Sequence, residues 1–266
     1  MSNLTLRIIT ALVLAGVTLI SLFVLPDGAA MWLLTGFLVV ALWEWSGLAF
    51  TQQILGRCAY VLLLLLAAAY LFIDLASSGD PQPIFVLASG WWLLAAFWLV
   101  FLGGRSNRIW CALAGVMIIL PAFVAAQELL SDARGELAFV WVLCLVAATD
   151  IGAYFTGKSL GRHKLAPDIS RGKTWEGLAG GIIAAVLVGV AGAVQMDKSM
   201  LWWGCAALLI ALYSAVGDLA VSAFKRHAGL KDSGSILPGH GGVLDRIDGL
   251  VAALPLFLLV WSWTEG

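Results

Sequence analysis

Residues 177–195 read GLAGGIIAAVLVGVAGAVQ, 19 residues without a charge and with no polar side chain before the closing glutamine. A helix of about 20 such residues, rising about 1.5 Å at each, crosses the hydrocarbon layer of a bilayer. Read outward from this stretch, the same signature recurs along the chain and gives nine candidate spans: 8–25, 30–50, 58–76, 84–103, 109–127, 137–156, 177–195, 200–223 and 247–263. The breaks between them are short and polar or carry Gly and Pro. Composition agrees, since 62% of the 266 residues are hydrophobic and 12% charged, against about 25% charged in soluble domains. An ordinary water-soluble domain is excluded, and the expected fold is an all-α polytopic membrane protein of about nine transmembrane helices.

The first span follows Arg7 and invites comparison with a signal peptide. The stretch from Ile8 to Leu25 is 18 residues long with no good small-residue cleavage site after it, so an uncleaved span is expected. The charge pattern supports the count. With nine spans, Arg7, Arg57, Arg105, Arg108, Lys158, Arg162, Lys164, Arg171, Lys173, Lys225, Arg226, Lys231 and Arg246 share the side of the amino terminus, and only Arg134 and Lys198 lie opposite. The positive-inside rule then places the amino terminus in the cytoplasm. The net charge of -1 carries no information about partners. Cys58, Cys111, Cys144 and Cys205 are scattered through apolar runs and read as small hydrophobic side chains.

Two connections stand out for length and polarity, Gly157–Glu176 and Lys225–Arg246. They hold nine basic residues and all three histidines, His163, His227 and His240. The expected division is therefore a transmembrane scaffold over 1–135 (spans one to five) and a catalytic membrane region over 136–266 (spans six to nine and both loops). No internal repeat is visible, which argues against a transporter built from inverted halves.

Ionisable residues inside spans are costly and mark interior or aqueous surfaces. Asp150 lies near the end of the sixth span. Asp218, Ser222 and Lys225 stand at i, i+4 and i+7, one helical face, and Asp245 and Asp248, at i and i+3, open the ninth. The three carboxylates Asp218, Asp245 and Asp248 are expected to converge, and hard oxygen ligands of this kind suit magnesium. A single aspartate often only neutralises a neighbouring base. Three that bracket a loop holding Lys225, Arg226, Lys231, His240 and Arg246 point instead to a ligand. Within that loop, Pro238-Gly239-His240-Gly241-Gly242 precedes the ninth helix and lets backbone N–H groups approach an anion. Lys173 and Trp175 are placed to grip a phosphate and to anchor at the interface or stack on a base. Glu44, between Trp43 and Trp45, is open to a catalytic, helix-pairing or interfacial role, of which a structural one is favoured.

The residues from Ser222-Ala223-Phe224-Lys225-Arg226 through Lys231-Asp232 to Pro238-Gly239-His240-Gly241-Gly242-Val243-Leu244-Asp245-Arg246-Ile247-Asp248 form 27 positions without a gap. They resemble the signature of the phosphatidate cytidylyltransferases, the CDP-diacylglycerol synthases. Asp150, Gly157-Lys158 and Lys173-Thr174-Trp175-Glu176-Gly177 extend the likeness, while Arg171 stands where the family commonly has proline. The resemblance implies transfer of the cytidylyl group of CTP to phosphatidic acid, with release of pyrophosphate, in the inner membrane. It also implies magnesium in a paired-metal centre of which one site can take potassium, a homodimer within membrane lipid, and no nucleic acid. On this basis Asp218, Lys225, Asp245 and Asp248 are the expected catalytic residues, with Asp218, Asp245 and Asp248 holding metal. Asp150, Lys173, Ser222, Arg226, Lys231, His240, Gly241, Gly242 and Arg246 are the expected substrate contacts. The competing readings are a CTP-dependent polyprenol or phytol kinase, which would transfer the γ-phosphate to an alcohol, and an ion or lipid transporter.

Overall fold

The computed structural model describes residues 3–265 except 27, 52, 78, 133, 196, 197, 238 and 240. Its helices are α1 (Asn3–Phe23), α2 (Ala29–Ala49), α3 (Ile54–Ser77), α4 (Gln82–Phe101), α5 (Arg108–Ser131), α6 (Gly135–Leu160), α7 (Trp175–Gln195), α8 (Met200–His227), α9 (Leu244–Ile247) and α10 (Leu250–Glu265). The strands β1 (Lys164–Ala166) and β2 (Ser170–Thr174) pair antiparallel as a hairpin between α6 and α7. Among the described residues, seven helices, α2 to α8, are long and apolar enough to cross a membrane. In α1 the apolar stretch is Leu12–Phe23, and α10 has 16 residues. Large side chains such as Leu62, Leu66, Ile73, Leu87, Val100, Ile183 and Leu187 are exposed along these helices, as lipid contact requires. The protein is a multi-pass membrane protein.

The chain divides into two compact units. One comprises 1–81, 106–136 and 224–247; the other comprises 82–105, 137–223 and 248–266. Both are assembled from segments far apart in sequence, and α8 runs through the boundary after residue 223.

In the first unit α2 is central and packs on α1, α3, α5 and α9. Its most extensive packing is against α5. Trp45 Nε1 donates to the Cys111 carbonyl at 2.9 Å and Tyr60 on α3 donates to the Ala112 carbonyl at 2.7 Å. Both reach the α5 backbone because Gly115, one turn on, has no side chain; a Cβ there would overlap the indole and the phenol oxygen. In this way the buried ends of Trp45 and Tyr60 gain partners that apolar surroundings would deny them.

In the second unit small residues bring the backbones together. Gly152 of α6 faces Gly180, Gly181 and Ala184 of α7, where a Cβ would come within 2.7 Å of the Gly180 carbonyl. This is the small-residue packing expected where apolar burial gives no advantage over lipid. Pro255 falls inside α10, and α10 packs on α4. Phe257 stacks on Trp261 at 6.1 Å between centroids, and Trp203 of α8 meets both edge-on.

Two expectations are corrected. The connection read as a long polar loop over 157–176 is largely regular structure, because α6 continues to Leu160 and the hairpin fills most of the rest. The ninth span does not begin as one helix through Asp245 and Asp248: α9 ends at Ile247, a turn holds Asp248 and Gly249, and α10 starts at Leu250.

Candidate active site

The polar residues of the second unit gather where α8 meets the hairpin. Lys173, on β2, places Nζ 2.5 Å from Asp218 Oδ2, and Nζ itself is enclosed. The contact is a close ion pair without the alignment of a hydrogen bond. Ser222, one turn along α8, lies 3.4 Å from Asp218 Oδ1. The hairpin is held in place from α7. Thr174 caps that helix by accepting from the Gly177 N–H at 3.1 Å. Glu176 accepts from the backbone N–H groups of Arg162 and His163 and lies 2.6 Å from His163 Nδ1. The strand carrying Lys173 is thus anchored at the end where it enters α7.

Asp248 occupies the turn between α9 and α10, where its Oδ1 accepts from the Gly249 N–H at 2.9 Å. Gly217, beside Asp218, sits directly on this turn, and a Cβ at Gly217 would come within 2.5 Å of the Asp248 carbonyl. The segments bearing Asp218 and Asp248 therefore adjoin.

In the first unit the end of α8 and the segment before α9 fold around two carboxylates. Lys225 Nζ donates to Asp245 Oδ1 at 2.6 Å, with both side chains buried. Asp245 Oδ2 accepts from the Ser233 and Gly242 N–H groups, each at 2.9 Å. Burial raises the Asp245 pKa, but the Lys225 ammonium and these two N–H groups outweigh it and hold the carboxyl below its ordinary value. The second carboxylate is Glu44 of α2, which is 3% exposed. Its Oε1 accepts from the Val243 N–H at 3.0 Å; Oε2 accepts from the Leu244 N–H at 2.8 Å and from Ser233 Oγ at 2.9 Å.

The structure thus groups Lys173, Asp218 and Ser222 in one unit, and Lys225, Gly242 and Asp245 in the other. Arg226, Lys231 and Arg246 are exposed, as is Asp150 on α6. Arg226 also donates to the Leu230 carbonyl at 3.0 Å. Gly241 adopts φ +81 and pairs with Leu237 through an isolated bridge, a backbone shape that favours glycine. His240 and Pro238 lie outside the described residues. Glu44 and Ser233 were missed as parts of this loop. Nothing local signals their pairing, because Glu44 lies 189 residues from its nearest partner in sequence.

Among the described residues no group of three or more His, Cys, Asp and Glu side chains could hold a metal ion. Magnesium needs fewer, typically one or two carboxylates completed by water and substrate phosphate. The adjoining segments of Asp218 and Asp248 supply such hard oxygen donors, and Asp218 keeps 32% of its side chain exposed. Asp245 fits the role less well, since both its oxygens already have donors.

The fold and the charged residues along α8, the hairpin and α9 define a multi-pass membrane protein whose scarce polar chemistry is concentrated in its second half. Comparison of the whole chain assigns it: the profile of the cytidylyltransferase family matches residues 5–263, and the protein belongs to that family. The chain is 40% identical to a phosphatidate cytidylyltransferase of Pseudomonas aeruginosa, over 96% of each chain. It is 40% identical to one of Brucella suis, over 97% of this chain and 93% of that protein. Identity to the Haemophilus influenzae phosphatidate cytidylyltransferase is 31%, over 94% and 96%.

Proposed function

We propose that the protein transfers the cytidylyl group of CTP to phosphatidic acid, leaving CDP-diacylglycerol in the membrane and releasing pyrophosphate. One observation carries the reading beyond family membership: two lysines of the matching segments are ion-paired to aspartates, Lys225 to Asp245 within the 27-residue signature and Lys173 to Asp218, four residues before it. In the proposed reaction an oxygen of the phosphatidate monoester attacks the α-phosphorus of CTP, the bond to the bridging oxygen breaks, and pyrophosphate leaves with the electron pair. The attacking monoester is already ionised near neutral pH, so no strong base is needed. What is needed is neutralisation and alignment of two anions.

Lys173, fixed by Asp218 and the braced hairpin, offers a cation whose position is set before substrate arrives. Lys231 and Arg246, with Arg226, present exposed charge to the phosphates of CTP. Lys225, held by Asp245 against the 233–245 segment, is the cation of that segment for the reacting phosphates. Asp218 and Asp248 would hold magnesium, which when bound supplies a positive charge against the triphosphate. We also read α1 and α10 as spans, which brings the count to nine and puts the amino terminus and both basic connections on the cytoplasmic face of the inner membrane.

Purified protein given CTP, phosphatidate and magnesium is expected to form CDP-lipid and pyrophosphate in equal amounts. Absence of CDP-lipid with the wild-type chain would overturn the assignment, and release of CDP in its place would favour a lipid kinase.

A further inference from the structure

The carboxylate of Glu44 is almost wholly buried, and an unpartnered buried carboxylate would be severely destabilising. It faces three donors, all from one segment far away in sequence: the Ser233 hydroxyl and the Val243 and Leu244 N–H groups. The segment is shaped around it. A Cβ at Gly234 would overlap Glu44 Oε1, and one at Gly242 would overlap both Glu44 oxygens and Ser233 Oγ. Ser233 is gripped twice, its hydroxyl donating to Glu44 at 2.9 Å and its N–H donating to Asp245 at 2.9 Å. Asp245 in turn receives Lys225 at 2.6 Å. A continuous chain of bonds therefore runs from α2 through Ser233 and Asp245 to Lys225.

We propose that Glu44 is a positioning residue for cytidylyl transfer: its carboxylate clamps Ser233 to Val243–Leu244 and thereby sets Asp245 and Lys225. The inference rests on the proposed reaction for its catalytic meaning, and on geometry alone for the clamp. Glu44→Gln keeps the size of the side chain but turns one acceptor into an NH2 group that confronts a donor.

In purified full-length protein, Glu44→Gln is expected to lower kcat on the order of 10–100-fold, the usual cost of losing a group that orients a functional one. The KM for CTP should change little, because Glu44 makes no substrate contact in this account. Hydrogen exchange measured without substrate should show the 233–247 amides exchanging about tenfold faster, with the rest of the chain unchanged. Ser233→Ala, which deletes one of the three donors, should give an intermediate loss in both measurements.

Wild-type kcat or wild-type exchange in Glu44→Gln overturns the proposal. If Glu44→Gln unfolds throughout, Ser233→Ala decides, and unchanged kcat or exchange there overturns it equally. A wild-type protein that makes no CDP-lipid defeats the proposed reaction instead, while the exchange measurement still decides whether the clamp exists.

Discussion

Asp245 is buried with Lys225 as its counter-ion and two backbone donors on its other oxygen. Removing one partner of such a pair strands a charge, which typically costs about 3–5 kcal/mol. Asp245→Asn should therefore lower the thermal midpoint in detergent, and adding Lys225→Met should recover part of the loss. An unchanged midpoint in Asp245→Asn would show that the pair contributes nothing. The same pair sets an acid limit. Because the folded carboxyl lies below its ordinary value, its contribution is complete above roughly pH 4, the ordinary range, and is lost as pH falls further through the folded value. Thermal midpoints of wild type and Asp245→Asn compared across pH should converge on the acid side and stay apart at neutral pH. The i, i+4, i+7 spacing of Asp218, Ser222 and Lys225 was legible in the sequence because α8 is one helix through all three. The partners of Asp245 and Glu44 were not, because a fold supplies them from other segments and spacing carries no record of that.

At the scale of elements, the sequence marks α2 to α8 to within a few residues, since apolar runs of bilayer length have few alternatives. It fails at two places for definite reasons. The hairpin β1–β2 is polar and short, so neither its period nor its composition sets it apart from a loop. The break at Asp248–Gly249 comes from close packing: Gly217 of α8 lies on the Asp248 carbonyl, and a Cβ at Gly249 would overlap Ser214. Close approach also makes a prediction for α6 and α7. Gly152→Leu inserts a branched side chain where even a methyl group would collide with Gly180 and Ala184. It should destabilise the protein by about 1–3 kcal/mol or more, read as a lower thermal midpoint, whereas Gly172→Ala, with open space around it, should not. At the hairpin, Thr174→Ala removes the α7 cap and should cost about 1 kcal/mol.

For the whole molecule, composition alone announces a protein solvated by lipid, and the distribution of basic residues is the ground for the proposed orientation. Orientation can be checked directly. With the four cysteines replaced, Lys231→Cys should resist an impermeant thiol reagent in intact cells and react after the membrane is opened, while Arg134→Cys should react in both; the reverse pattern would invert the topology. The partition into two units was not legible, because each unit collects three separated segments and membrane spans look alike in sequence. Family membership covers residues 5–263, so the proposed reaction involves the chain as a whole. The most direct test supplies purified protein, phosphatidate and magnesium with CTP labelled on either the α- or the γ-phosphate. The account predicts that α-label enters the lipid and γ-label leaves as pyrophosphate. Label from the γ-phosphate in the lipid, or no labelled lipid from either nucleotide, would contradict it.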